Sequence, residues 1–400
     1  MLIGRGPDGP IVGRSVAITG VGVVSCCGMG ADALFEGLLH PTLSGPVRAV
    51  PDFDPLVFFG PKEARRLDRF AQMSVAAAEL ARLDAGELAA DPDRSGVIMA
   101  SGVGGFHTLV EQVLVCDRKG KDRVSPFLVP MMMANAGSAN VSMRFGWHGP
   151  SETICTACAA GTHAVTAAAR LIASGRLDVA IGGGAEAAIQ EVALGAFTNM
   201  TALSTSGESR PFDVRRDGFV IAEGAAALVL EDKDRALARG ARIYAEIAGG
   251  GSTADAHHIT APEPEGTGAV ACMELALEDA QLLASDVAHV NAHGTSTPLN
   301  DLAEARAINK VFGEPGPPVT SNKGVTGHSL GAAGAIEAVA SALSIYRGVI
   351  PPTAGLEQLD PEIVLDVVMG APRPFVPGPV LSNSFGFGGH NGCLVLVPSR

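Results

Sequence analysis

The sequence predicts an α/β fold built from two similar halves. Short apolar runs typical of buried strands recur along the chain, at residues 15–21, 96–100, 179–183 and 226–230. Ala-rich segments with helical spacing, such as residues 74–83, lie between them. Apolar strands that alternate with helices indicate sheets covered on both faces. Because hydrophobic residues make up 47% of the chain and charged residues 18%, it can bury a large core.

An internal repeat is the basis for the two halves. Residues 244–250 resemble a second copy of the opening strand, and turns at Cys158 and His328 each lead into a helix of small residues, over 159–174 and 331–343. Each half thus supplies a catalytic candidate at the mouth of a helix. The alternative is that Ala- and Gly-rich helices resemble each other by composition alone. The predicted boundaries of the halves are 1–243 and 244–400.

Charge and cysteine content exclude several classes of protein. A net charge of −13 argues against general nucleic-acid binding, which needs clustered Lys and Arg. The seven Cys are irregularly spaced in a long chain, which does not indicate a disulfide framework and favours a reducing cytoplasm. We expect no signal peptide in the first fifteen residues and no membrane span, since long apolar runs are absent.

Cys158 lies among small residues, between a strand-like segment and an Ala-rich helix. A thiol at a helix start meets unpaired N–H groups and the positive end of the dipole, which favour a thiolate. The small side chains of Ala157 and Ala159 let a substrate carbonyl approach. A lone Cys among Ala residues is more often part of the core, so a nucleophile requires the further motifs below.

Two histidines lie in loops of the kind where α/β enzymes place catalytic residues. His293 follows a predicted strand end, and the hydroxyls of Thr295 and Thr297 alternate along its loop. His328 follows Gly327 in the turn before the second Ala-rich helix. Each motif alone is also explained by a turn stabilised by Thr side chains or by a helix cap.

Two further features accompany these histidines. Lys323 lies in an apolar stretch, where an ammonium group needs a partner, and Glu337 on the following helix is predicted to supply it. Near the C-terminus, Phe385 and Phe387 alternate with glycines that can bring N–H groups close to a ligand. The two rings are predicted to form a movable apolar gate.

Together these motifs resemble the elongating 3-oxoacyl-[acyl-carrier-protein] synthases. The matches are Thr-Ala-Cys-Ala at Cys158, Asn-Ala-His-Gly-Thr-Ser-Thr-Pro at His293, Lys-x-x-x-Gly-His ending at His328, Asn-Ser-Phe-Gly-Phe-Gly-Gly from Asn383, and segments 103–105, 209–213 and 216–219. The resemblance runs in order from about residue 14 to residue 397. His390 departs from it, because the family usually has Thr there, but the Cys-His-His set is intact.

The resemblance implies a thiolase fold, with two five-stranded mixed sheets in a five-layer α-β-α-β-α arrangement, usually as a homodimer. It implies a decarboxylative Claisen condensation of malonyl carrier protein with an acyl thioester on Cys158, in fatty-acid elongation. The two histidines, His293 and His328, would stabilise the enolate. Lys323, held by Glu337, would tune the electrostatics around His328.

The remaining site residues are assigned by the resemblance alone. The backbone N–H groups of Cys158 and Phe387 form the oxyanion hole, and Phe387 with Phe385 controls the order of substrates. Thr295 and Thr297 would contact the phosphopantetheine arm, and Val103 would contact the acyl chain. Asp301 would support the site.

Partners and cofactors follow from the same resemblance. Lys62, Arg65 and Arg66 form a basic spot suited to docking an acidic acyl carrier protein, with a solvated helix face as the alternative. No metal or organic cofactor is expected, and the adjacent His257 and His258 lack further clustered ligands. A homodimer is expected, or a heterodimer with a chain-length-factor-like subunit if the pathway is polyketide synthesis.

Four alternative functions compete with this interpretation. A catalytically silent chain-length-factor-like subunit would not carry Cys158, His293 and His328 together. A thiolase or an initiating synthase acting on coenzyme A esters is disfavoured, since the initiating type resembles a Cys-His-Asn set. An unrelated Cys-His hydrolase does not account for the Phe-Gly-Phe-Gly-Gly loop. A ketosynthase subunit of a type II polyketide synthase shares all these motifs and stays open.

Overall fold

The computed structural model describes residues 13–42 and 45–399. No signal peptide is predicted in the first fifteen residues, and residues 1–12 lie outside this described part. The strands are β1 Val16–Ser25, β2 Gly28–Met29, β3 Val47–Arg48, β4 Ser95–Ala100, β5 Ser151–Ile154, β6 Val179–Glu186, β7 Ile221–Ala222, β8 Gly224–Asp232, β9 Ala245–Ala254, β10 His289–Asn291, β11 Val319–Thr320, β12 Val349–Ile350, β13 Arg373–Pro374, β14 Val380–Gly386 and β15 His390–Val397.

The α-helices follow the same numbering along the chain. They are α1 Ala31–Leu39, α2 Pro61–Ala64, α3 Arg69–Ala85, α4 Phe106–Lys119, α5 Leu128–Met132, α6 Ala136–Phe145, α7 Ala160–Ala173, α8 Glu191–Asn199, α9 Lys233–Ala238, α10 Thr267–Ala280, α11 Pro298–Phe312, α12 Lys323–Thr326 and α13 Ala333–Arg347. Within the described ranges, no helix is both long and apolar enough to cross a membrane.

The main sheet consists of two five-stranded arrays with the same order and directions, together with the short strand β2, which pairs with β1. One array runs β1-β8-β6-β4-β5 and the other runs β9-β15-β14-β10-β11. In the first array β4 is parallel to both its neighbours, and in the second array β10 is. All other neighbouring strands within each array are antiparallel. The matching orders confirm the predicted internal repeat. The boundary at residues 243/244 falls between α9 and β9 and stays a prediction.

The two five-stranded arrays are joined along one edge of each. β1 and β9 pair antiparallel, with Val16 opposite Ile247 and Ile18 opposite Ala245. The backbone groups at the facing edges therefore satisfy one another, where an open edge would need another cover.

Helices cover both arrays and fill the space between them. α3 packs on β1 and β8 on one outer side, and α10 packs on β9 and β15 on the other. α7 and α13 lie between the arrays and contact strands of both. The backbones of α7 and α13 approach each other closely. A Cβ atom added to Gly161 of α7 would lie only 2.6 Å from the backbone nitrogen of Ala335 in α13. Such approaches explain the Gly and Ala content, and the five layers of a thiolase fold result.

The predicted strands and helices are confirmed, with one shared difference. Both helices of the repeat begin after a short 3-10 turn, at Ala157–Ala159 before α7 and at Leu330–Ala332 before α13. The first residue of each turn has a positive φ, 49° at Ala157 and 45° at Leu330. A residue in this left-handed conformation interrupts a regular helix, so α7 and α13 start later than their sequence pattern suggests.

Candidate active site

One cavity of about 370 Å³ gathers most of the predicted catalytic residues. They come from loops and strand ends of both arrays, because the same ends of the two arrays face this cavity. The predicted residues in its walls are Cys158, His293, Thr295, Thr297, His328, Phe385 and Phe387. A nucleophile candidate and two histidines that lie more than a hundred residues further along the chain thus share one space.

Cys158 lies in the 3-10 turn before α7, and its side chain is buried. The end of β14 passes directly behind it, since a Cβ at Gly386 would lie 2.9 Å from the Cys158 backbone nitrogen. Burial raises the pKa of the Cys158 thiol to about 11, although the Phe387 backbone N–H and the Lys323 ammonium oppose this. Burial thus acts against the expected thiolate, whereas the N–H groups at the start of the helix and the Lys323 ammonium act in its favour, so the ionisation of Cys158 stays a prediction.

His293 is held by hydrogen bonds to its backbone and by a lysine beside its ring. The N–H groups of His293 and Gly294 donate to the Glu304 carboxylate at 2.8 and 2.7 Å. Lys323 donates from Nζ to the His293 carbonyl at 2.7 Å and lies 3.3 Å from Nδ1 of its ring. Lys323 also pairs with Glu337 on α13, as predicted. A donor at Nδ1 favours the tautomer with its hydrogen on Nε2.

His328 packs edge to face against two rings. Its ring centre lies 5.4 Å from that of His293 and 5.3 Å from that of Phe219. Its backbone N–H donates to the carbonyl of Val220 at 2.7 Å. Burial and then the nearby Lys323 charge hold the pKa of both histidines well below 6.5. Both rings are therefore neutral and can each offer an N–H donor to a developing negative charge.

The two threonines and the two phenylalanines line the same cavity. The hydroxyls of Thr295 and Thr297 are 2.9 Å apart. The ring of Phe385 lies 5.9 Å from that of His293, and both Phe385 and Phe387 are half-buried. Contacts of the two threonines with an entering arm, and a gate formed by the two rings, stay predictions.

Other predicted residues lie outside this cavity. Asp301 is buried in α11 and accepts the backbone N–H of Phe212 at 2.9 Å. Val103 is 48% exposed in the loop after β4. Neither lines the walls around Cys158. This hydrogen bond ties Asp301 to a neighbouring loop, while its supporting role and the place of Val103 in an acyl pocket stay predictions.

The predicted docking residues are exposed and form no part of the cavity. Lys62, Arg65 and Arg66 lie in and directly after α2. The Arg66 guanidinium lies over the ring of Phe127, 4.6 Å from its centre. They are available to a partner, and their docking role stays a prediction.

Two residues that shape the site are not among those predicted from the sequence. Glu304 holds the backbone of His293, and Gly386 lets β14 approach Cys158. A signal for Glu304 was available, because it is an acidic residue among the regularly spaced apolar residues of the segment 298–312. No sequence signal distinguished Gly386 from the other glycines of its loop.

Comparison with known proteins agrees with this geometry. Residues 39–236 match the model of the beta-ketoacyl synthase N-terminal domain, and residues 244–357 match that of its C-terminal domain. The chain belongs to the beta-ketoacyl synthase family. It is therefore an enzyme of the acyltransferase type.

Curated relatives of this beta-ketoacyl synthase share its length. A 3-oxoacyl-[acyl-carrier-protein] synthase 2 of Synechocystis sp. is 42% identical over 94% of this chain and 96% of its own. A protein of the same name from Staphylococcus aureus is 46% identical over 84% of this chain and 85% of its own. This beta-ketoacyl synthase is thus similar to the elongating synthases named from its motifs.

Solved structures give the same fold. The ishigamide ketosynthase/chain length factor has a TM-score of 0.91 and 34% identity over 97% of this chain and all of its own. A beta-ketoacyl synthase from Burkholderia phymatum has a TM-score of 0.89 and 35% identity over the same shares. A further neighbour is described as a type II polyketide synthase acyl carrier protein in complex with its ketosynthase, at a TM-score of 0.88 and 31% identity over 97% of this chain and all of its own.

Proposed function

We propose that this beta-ketoacyl synthase elongates acyl chains by decarboxylative condensation of malonyl carrier protein with an acyl thioester on Cys158. The observation that carries the proposal is the juxtaposition of Cys158 with two neutral histidines, 5.4 Å apart, in the walls of one cavity. A nucleophile and two N–H donors are the groups that this chemistry requires.

The first half-reaction loads the acyl chain. The sulfur of Cys158 attacks the thioester carbonyl of acyl carrier protein, the carrier thiol leaves, and it takes the proton that the Cys158 thiol gives up. The backbone N–H groups of Cys158 and Phe387 stabilise the oxyanion formed during this exchange. The close approach of Gly386 to the Cys158 nitrogen supports this assignment, because it brings both N–H groups to one place.

The second half-reaction forms the carbon–carbon bond. Malonyl thioester loses carbon dioxide, and the electron pair of the broken bond forms an enolate whose oxygen accepts N–H hydrogen bonds from His293 and His328. The enolate carbon attacks the acyl carbonyl, and Cys158 leaves as a thiolate that takes up a proton. Burial favours this protonation, since it raises the pKa of Cys158 to about 11.

Supporting residues complete the proposal. Thr295 and Thr297 hold the phosphopantetheine arm, Phe387 and Phe385 admit the substrates in order, and no metal or organic cofactor takes part. The basic spot at Lys62, Arg65 and Arg66 receives the acidic carrier protein. The enzyme works in the cytoplasm as a homodimer of chains that each divide at residues 243/244.

Incubation with acyl and malonyl carrier proteins tests the proposal. Mass analysis should show a 3-oxoacyl carrier protein two carbons longer than the starting acyl group, with one carbon dioxide released per product. Release of free acid without a longer product would contradict it and indicate a hydrolase.

A ketosynthase subunit of a type II polyketide synthase is a second candidate. It is favoured by the high TM-scores with ketosynthases described with a chain length factor or a type II carrier protein. This candidate predicts products with several unreduced keto groups, formed only when a partner subunit is added. Size-exclusion chromatography with light scattering of the enzyme alone, and with such a partner, separates homodimer from heterodimer.

A further inference from the structure

Glu186 is a buried carboxylate that the proposed reaction does not use. It is the last residue of β6, has no exposed surface, and receives four hydrogen bonds. Its Oε2 accepts the backbone N–H groups of Gly102 at 2.7 Å and Gly331 at 3.0 Å. Its Oε1 accepts the Ser101 hydroxyl at 3.1 Å and the Val103 N–H at 3.3 Å. Three backbone donors from two distant segments thus converge on one carboxylate.

The two segments also touch each other at this point. A Cβ at Gly331 would lie 2.4 Å from the Gly102 nitrogen and 2.9 Å from Oε2 of Glu186. A Cβ at Gly102 would lie 2.7 Å from the same oxygen. Only glycines allow this approach, so the carboxylate fills the junction between the loop after β4 and the turn that follows His328.

Glu186 also acts on the nucleophile through its charge. It is close enough to Cys158 to raise the pKa of that thiol, whereas the Lys323 ammonium lowers it. Burial raises the pKa of Glu186 itself to about 7, although its N–H donors oppose this. Removing the carboxylate should therefore affect both the loop contacts and the ionisation of Cys158.

We propose that Glu186 is a positioning residue. Its carboxylate fixes the loop after β4, which carries Val103, against the turn that follows His328. It thereby aligns the acyl end of the site with its enolate end around Cys158. This inference rests on the proposed function, including the predicted place of Val103 at the acyl chain, and deepens it, because it assigns the coupling of the two half-sites to a residue outside the cavity. In its ionised form, a carboxylate with several backbone donors is suited to this, since charge-assisted hydrogen bonds are shorter and stronger than neutral ones.

The test compares Glu186→Gln with a matched control, Glu231→Gln. Glu231 is equally buried in the same array, but its carboxylate is held by Arg239 and Thr19 away from the site. In Glu186→Gln an amide group faces two N–H donors, so we expect the condensation rate to fall about 10- to 100-fold. The product lengths should change and the alkylation of Cys158 by iodoacetamide should shift to lower pH. Glu186→Asp should restore the pH profile in part.

Glu231→Gln should lower the melting temperature without moving the product lengths or the alkylation profile. The proposal is overturned if Glu186→Gln behaves in the same way as this control. Should Glu186→Gln not fold, Ser101→Ala removes one donor and should change product length in the same direction by a smaller amount; unchanged product lengths in Ser101→Ala would then overturn the proposal. The alkylation measurement needs no carrier protein, so its outcome is independent of whether condensation is observed.

Discussion

Lys323 donates from Nζ to the backbone carbonyl of His293 at 2.7 Å and lies 3.3 Å from Nδ1 of the same residue. One ammonium group thus holds both the backbone and the ring of a catalytic candidate. Its charge is balanced by Glu337 on α13, and both side chains are almost fully buried. The pair therefore connects the position of His293 to the helix that follows His328.

Removal of one or both charges separates the stability of this pair from its catalytic role. Glu337→Leu leaves the Lys323 charge buried without its carboxylate and should lower the free energy of unfolding by about 3–5 kcal/mol. The double variant Lys323→Met/Glu337→Leu should regain most of the lost free energy of unfolding, since neither charge is left in the core. Its decarboxylation should stay slow, because the ammonium beside His293 is missing. Urea unfolding and release of carbon dioxide measure the two effects. A double variant that regains full decarboxylation would contradict the role given to Lys323.

Acylation should occur on Cys158 and nowhere else. Intact-mass analysis after incubation with acyl carrier protein should show one acyl adduct, absent in Cys158→Ala. Because burial raises the pKa of Cys158 to about 11, its alkylation by iodoacetamide should quicken about tenfold per pH unit between about pH 7 and 10. An adduct on the exposed Cys155, located by peptide mapping, would refute the assignment.

Loss of either histidine should affect decarboxylation more than loading. His293→Ala and His328→Ala each remove a donor that acts on the enolate, an interaction typically worth about 10²–10³ in rate. Acyl transfer to Cys158 and release of carbon dioxide from malonyl carrier protein are measured separately. The exposed His40→Ala serves as control. An equal loss of both half-reactions would argue against this division of roles.

Reversal of the basic spot should weaken the use of carrier-bound substrate. Arg65→Glu/Arg66→Glu places negative charge where the acidic carrier protein is proposed to dock, so the KM for acyl carrier protein should rise, most strongly at low salt. Alkylation of Cys158 should be unchanged, because these residues lie outside the cavity. An unaltered KM would exclude this surface as the docking site.

His289 should make the fold sensitive to acid. It is buried at the start of β10, and neither ring nitrogen has a hydrogen-bond partner among the described residues. Burial lowers the pKa of His289 to about 3, so the folded chain keeps it neutral while the unfolded chain takes up a proton below about pH 6.5. Stability should therefore fall as the pH drops from about 6.5 towards 3, by about 2 kcal/mol at pH 5.

The variant His289→Leu should remove this part of the pH dependence. The difference between its free energies of unfolding at pH 7 and pH 5, from urea titrations, should be about 2 kcal/mol smaller than that of the unchanged protein. His257→Leu, at an exposed position, should leave the difference as it is. Identical pH dependence in His289→Leu and the unchanged protein would show that this ring does not control acid stability.

Much of the fold and site followed from local patterns. Short apolar strands, Ala-rich helices and the repeat around Cys158 and His328 are properties of neighbouring residues, so they can be recognised in the sequence. The motifs at Cys158, His293 and His328 were sufficient for the family, because each combines a reactive side chain with the turn residues that present it. The pairing of Lys323 with Glu337 followed from the cost of burying one charge alone.

Only the tertiary structure decided the burial of these groups and the residues that hold them. The helix start at Cys158 suggested a thiolate, but burial by segments far away in sequence favours the thiol. Glu304 and Glu186 act through backbone N–H groups of residues about ten and more than eighty positions distant, and such groups have no signature in the sequence. Desolvation and backbone hydrogen bonding depend on which segments pack together, and that is a property of the folded chain alone.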